Sequence, residues 1–166
     1  MLERIVDAPN QKIADIKKLQ QSRVPLVMYG TGSYARYVAR FLEQHGIHID
    51  GACVDEEYLP AAGGEFLGKP VLAIHQLANR FHEYNLLLGF VEHRTAREKA
   101  KGLAGVHEVF FIDSPHHLDF FDYQYVVKHR AAFEKTYDYL ADARSRDTFT
   151  AYLNAKIMGQ PDPLFE

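Results

Sequence analysis

Pro25-Leu26-Val27-Met28-Tyr29-Gly30-Thr31-Gly32-Ser33-Tyr34-Ala35 is an apolar run that stops at a glycine-containing turn. Residues 25–29 have the length and the continuous apolar character of a strand covered on both faces. From Ser33 to Gly46 the period changes to that of a helix, with Ala35, Val38, Phe41, Leu42 and His45 on one side and Gly46 as the stop. Strand, tight turn and helix in this order open a βαβ unit. The turn itself reads G-x-G-x-x-A. Gly30 permits a sharp bend, Gly32 leaves no Cβ in the way of an approaching diphosphate, and Ala35 is small enough for the helix to pack close to the strand. The helix start supplies N–H groups and a partial positive charge.

Working outward, Ile49 to Val54 reads as a second strand that ends on Asp55, twenty residues after Ala35. An acid at this place can accept hydrogen bonds from ribose hydroxyls. A loop over 56–70, rich in glycine and acid, leads to a short strand at Val71 to Ile74 and a short helix at His75 to Tyr84. Leu86 to Val91 is a further apolar strand, Thr95 to Leu103 a helix, and Glu108 to Ile112 a last strand before Asp113-Ser114-Pro115. Alternating strands and helices imply parallel strands joined by right-handed crossovers. The expected fold is α/β, a Rossmann-like doubly wound parallel sheet of about five strands in the order 3-2-1-4-5. The N-terminal 1–24 reads as a helical segment in which Pro9 breaks the start, Asn10 is the cap, and Ile13, Ile16 and Leu19 make the stripe. The Rossmann-like domain is expected over 25–115 and a helical extension over 116–166. In that extension 123–143 reads as one long helix, and a second is capped by Ser145 and ended by Gly159. The apolar stripes Val126, Phe133, Tyr137, Leu140 and Phe149, Leu153 need a cover, from this domain's sheet, a second copy or a downstream domain, and self-association as a homo-oligomer is expected.

Composition excludes several classes. A net charge of −3 lacks the basic bias of a general nucleic-acid binder. No run of eighteen apolar residues occurs, so no membrane span is expected, and the first residues lack the apolar core of a signal peptide. Cys53 is the only cysteine, so neither an internal disulfide nor a cysteine-rich zinc site is available. A cytoplasmic location is the expectation.

The residues expected to bind a nucleotide-type ligand are Gly30, Thr31, Gly32, Ser33, Tyr34 and Asp55, with His93 after the fourth strand and Arg94 beside it as a phosphate partner. His75 and Asp113 to His117 fall at the same end of the expected sheet. Adjacent His116 and His117 do not converge on one ion, so no metal is expected. Cys53, inside an apolar strand, reads as a core thiol. S-adenosylmethionine is disfavoured at this turn, because Val27-Met28-Tyr29 provides no acid before Gly30 and no third alternating glycine follows Gly32. A phosphate loop of the G-x-x-x-x-G-K-[ST] kind is lacking.

Val24-Pro25-Leu26-Val27-Met28-Tyr29-Gly30-Thr31-Gly32 resembles the opening of nucleotide-sugar-binding Rossmann-like modules, which precede sugar acyltransferases and occur in FkbM-type methyltransferases. Gly51-Ala52-Cys53-Val54-Asp55 and Gly68-Lys69-Pro70-Val71 are similar to the later part of the same pattern. Leu140-Ala141-Asp142, Ser145-Arg146-Asp147-Thr148-Phe149 and Tyr152-Leu153 resemble the linker of FkbM-type proteins. The resemblance covers most of 24–159 and implies a nucleotide or nucleotide-sugar module in front of a downstream methyltransferase domain. That domain would begin about where the chain stops, at Glu166, so methyl transfer is expected outside this chain and the family's methyl-donor residues have no counterpart in it. Only the glycine turn and Asp55 carry over. Two other readings stay open: a small NAD(P)-dependent oxidoreductase, which lacks a convincing catalytic residue, and a structural module with an empty crevice.

Overall fold

Leu26–Tyr29 (β1), Gly51–Val54 (β2) and Tyr84–Leu88 (β5) are buried at every position, as expected where helices cover both faces of a parallel sheet. A computed structural model of the chain describes residues 1–61, 63–91, 94–113 and 121–160. Glu65–Phe66 (β3), Lys69–Ala73 (β4) and Val106–Phe110 (β6) complete a six-stranded sheet of order β3-β4-β2-β1-β5-β6. Five of the strands are parallel, in the doubly wound order expected from the alternation. The sixth, β3, is antiparallel to β4 and arises within the segment expected to be a loop. Leu67 (φ 53°) and Gly68 (φ 73°) close that hairpin in two residues, both left-handed.

Contacts divide the chain into two compact units, one of Asp15–Pro115 and the other of Met1–Ala14 with His116–Glu166. In the sheet unit, Ser33–Gln44 (α2) follows β1 and buries Ala35, Val38, Ala39, Phe41 and Leu42. Leu77–Arg80 (α3) and Arg94–Ala100 (α4) belong to the other face. There Val27, Tyr29, Cys53, Leu86 and Leu88 share a cluster with Leu77 and Ala100. The alternation of side chains along a strand thus gives Tyr29 and Cys53 to the α3/α4 side.

The helical unit departs from the expected long helix. Tyr123–Lys128 (α5) and Arg130–Tyr139 (α6) are separate, parted at His129 with ψ 20°. The break lets Phe121, Tyr125 and Phe133 pack their rings against one another, 5.4–6.4 Å between centroids. Ala143–Met158 (α7) is capped by Asp142, whose carboxylate accepts the Ser145 N–H, so Ser145 is the capped residue and not the cap. Gly159 ends α7 in the left-handed conformation, as expected. The core of this unit is Ile5, Val126, Leu153 and Ile157, and the partly buried Met1, Leu2 and Val6 supply much of its cover. Gln11–Gln21 (α1) starts at Asn10, whose side chain accepts the Ile13 N–H and donates to the carbonyls of Lys156 and Ile157. Among the described residues no helix is long and apolar enough to cross a membrane.

Candidate functional site

The glycine turn and Asp55 come to the same sheet edge because β1 and β2 are parallel neighbours. Tyr29 is in register with Cys53, and the Gly30 N–H continues the ladder to the Cys53 carbonyl at 2.8 Å. Each strand then ends one step further on, in the turn and in the acid.

The three small residues of G-x-G-x-x-A have different reasons. Gly30 has φ +101°, and a Cβ on it would lie 2.7 Å from the Phe90 ring. The fold itself demands a glycine there. Ala35 is fully buried, and it meets Gly89, on which a Cβ would lie 2.7 Å from the Ala35 Cβ and 2.9 Å from the Tyr29 carbonyl oxygen. This pair of small residues lets α2 approach the end of β5. Gly32 is the exception. Its φ of −72° suits any residue, and among the described residues nothing lies within 4 Å of an added Cβ. It is the N-cap of α2, and no side chain caps that helix start.

Ser33 is exposed as the first residue of α2, and Thr31 is half-buried. Tyr34 is half-buried. Its hydroxyl donates to the Ile112 carbonyl at 2.6 Å and its ring stacks on Phe111 at 6.2 Å. Tyr34 therefore anchors the helix start to the segment after β6. His93, His116 and His117 lie outside the described residues. Arg94 is the first residue of α4. His75 sits in the short turn after β4, with Nδ1 3.9 Å from Glu56 Oε2.

Asp55 has protein partners. The Tyr29 hydroxyl donates to it, 2.8 Å from each carboxylate oxygen, and Lys99 of α4 pairs with Oδ1. The acid continues the alternation of Tyr29 and Cys53, so it presents to the α3/α4 side, and its side chain keeps 24% exposure. Burial pushes the Tyr29 phenol well above its ordinary range, and the Asp55 charge pushes it further, so Tyr29 remains a donor at neutral pH. Burial likewise raises the Cys53 thiol, which fits a core role. The Phe90 ring meets Tyr29 edge-on at 4.9 Å and also lies against Gly30.

No family model matches the chain, and neither a curated protein nor a solved structure does. The geometry alone defines the site. Sequence reasoning missed Tyr29, Gly89, Phe90 and Lys99. A signal existed for Tyr29, the only polar-tipped side chain in the β1 run, and for Gly89, a glycine inside the apolar stretch 86–91. Lys99 left none, since a lysine on a short helix normally points to water. Among the described residues, no three His, Cys, Asp or Glu side chains are grouped to hold a metal.

Proposed function

We propose that the sheet unit is a nucleotide-binding module that seats the diphosphate of a nucleotide or nucleotide-sugar at the start of α2, over Gly30 to Tyr34. Gly32 carries this reading. Gly30 and Gly89 are glycines because the chain's own atoms leave no room for a Cβ, whereas Gly32 faces open space in an ordinary backbone conformation. A glycine that folding does not require, at an uncapped helix start, suits the close approach of an anion from outside. Asp55 supports the reading from the neighbouring strand. A carboxylate offers about four acceptor positions, and Tyr29 and Lys99 leave room for a ribose hydroxyl. The resemblance to the front module of FkbM-type methyltransferases fits this role, with methyl transfer performed by a partner domain.

A thermal-shift panel of UDP-glucose, NADH and S-adenosylmethionine tests it. A ligand at a hundredfold excess over Kd stabilises by about 2.7 kcal/mol, or ~5–10 °C for a chain of this size. The expected outcome is a shift with UDP-glucose or NADH and none with S-adenosylmethionine. Gly32→Val should abolish the shift while costing the free protein no more than ~1 kcal/mol, the price of a poor N-cap. A shift that survives Gly32→Val would show that the turn is only structural.

A further inference from the structure

The acid at the end of β2 is not a bare carboxylate. It holds a neutral phenol from Tyr29 on one side and an ammonium from Lys99 on the other, and Lys99 reaches it from α4, which follows β5 and not β2. A bare acid at this place reads ribose in two ways. It accepts from the 2′- and 3′-hydroxyls, and its charge rejects a phosphate ester on either of them. Lys99 alters the second function without removing the first. It compensates the Asp55 charge, and an ammonium with three N–H groups can contact Asp55 and still donate to a phosphate oxygen. Lys99 is about half exposed, while Tyr29 approaches from the buried sheet. It also stands in the last turn of α4, where the helix end favours a cation and helps keep it in place. The wider surroundings are acidic, because Glu56 and Glu57 follow immediately and are exposed. α4 itself carries Arg97, Glu98 and Lys99 in its last turn.

We infer that Lys99 is a specificity-determining residue: by compensating Asp55 it lets the crevice accept a nucleotide whose ribose carries a phosphate ester as well as one with a free diol. The inference rests on the nucleotide-binding reading above and goes on to name the ligand class. Its test compares NAD+ and NADP+, which differ by one 2′-phosphate, in calorimetric titrations of the full chain. The wild type should bind the two within about threefold, because the pair presents almost no net charge, and Lys99→Met should shift the preference toward NAD+ by about tenfold, because an uncompensated acid then faces the phosphate. Lys99→Arg, which keeps the charge, should retain the wild-type ratio. Asp55→Asn should move the ratio the other way, toward NADP+, and serves where Lys99→Met folds poorly. An unchanged ratio in folded Lys99→Met, or a wild type that already rejects NADP+ tenfold, overturns the role of Lys99 and leaves nucleotide binding standing. Failure of both probes to bind any variant overturns the nucleotide reading for dinucleotides, and this inference with it.

Discussion

In the sheet unit the central strands are buried along their whole length, whereas in the helical unit α6 buries no residue completely. The sheet unit has a broad apolar cluster drawn from β1, β2, β5 and the helices that follow β4 and β5. The helical unit has a small apolar cluster centred on Ile5, Val126, Leu153 and Ile157 and a set of polar ties between positions far apart in sequence. Arg4 pairs with Asp147, Asn154 accepts from the Val6 N–H and donates to the Arg4 carbonyl, and Asn10 holds the last carbonyls of α7. The comparison teaches that the first unit depends on apolar packing of consecutive elements. The second depends on the docking of its first residues onto a helix some 150 positions later.

A small core makes each of its members count for more. Leu153 is 2% exposed and is one of the four buried residues of the helical unit's apolar cluster. Leu153→Ala should therefore cost ~2–5 kcal/mol, toward the upper part of that range, because Ile5 and Val126 are tied to other elements and cannot collapse into the space. The measurement is a urea midpoint followed by circular dichroism. A loss below about 1 kcal/mol would mean that the polar ties, and not the apolar cluster, hold this unit.

The same contrast explains what could be read in advance. Each parallel strand announces itself by an apolar run, and the strand order follows from short right-handed crossovers, so the sheet was legible from residues 25 to 113. The β3–β4 hairpin was not, because its turn places Leu67 at positive φ, where a branched apolar residue is a poor turn signal. The cover of the helical stripe was not legible either. Ile5 and Leu2 belong to a segment too short to show a period, and only the folded chain brings them to Val126 and Leu153. Within the candidate site, the glycines were legible as a group, but not their separate reasons. Phe90 and Gly89 decide those reasons, and both lie more than fifty residues from the turn.

The two glycines of the turn sharpen the comparison inside the sheet unit. Gly30→Ala forces a side chain into a positive-φ position and against the Phe90 ring, so it should cost about 1–3 kcal/mol. Melting curves of Gly30→Ala with and without Phe90→Ala distinguish the two causes. If removing the ring restores nothing, the backbone conformation alone accounts for the loss. If Gly30→Ala proves neutral, the turn adapts, and the claim that folding needs Gly30 but not Gly32 fails.

The smallest expected effect separates the units by pH. In the sheet unit, Tyr29 and Cys53 have pKa values raised first by burial, and then by the hydrogen bond to Asp55 for Tyr29 and by the Asp55 charge for Cys53, from ordinary values of 10.0 and 9.0. A raised folded value means that the folded state keeps a proton the unfolded chain gives up. Their contribution is complete below about pH 9 and is lost progressively as pH rises above it. In the helical unit the shifted groups that titrate on the acid side are carboxylates. Hydrogen bonds from Ser145 hold Asp142 below its ordinary 3.8, and the Arg130 side chain holds Glu134 below 4.5. A lowered folded value has the opposite sign, so that contribution is present at neutral pH and lost as pH falls through this range. Asp142 is exposed and Glu134 is about a third exposed, so solvent screening keeps their effect slight. Urea midpoints measured across pH should therefore fall on the alkaline side with a slope that Tyr29→Phe reduces, and on the acid side with a weaker slope that Asp142→Asn reduces. Tyr29→Phe also loses the hydrogen bond to Asp55, so its midpoint should be lower throughout, and the slope is the quantity that decides. An alkaline slope identical in wild type and Tyr29→Phe would mean that the buried phenol does not resist ionisation, and would remove the argument that Tyr29 serves Asp55 as a permanent donor.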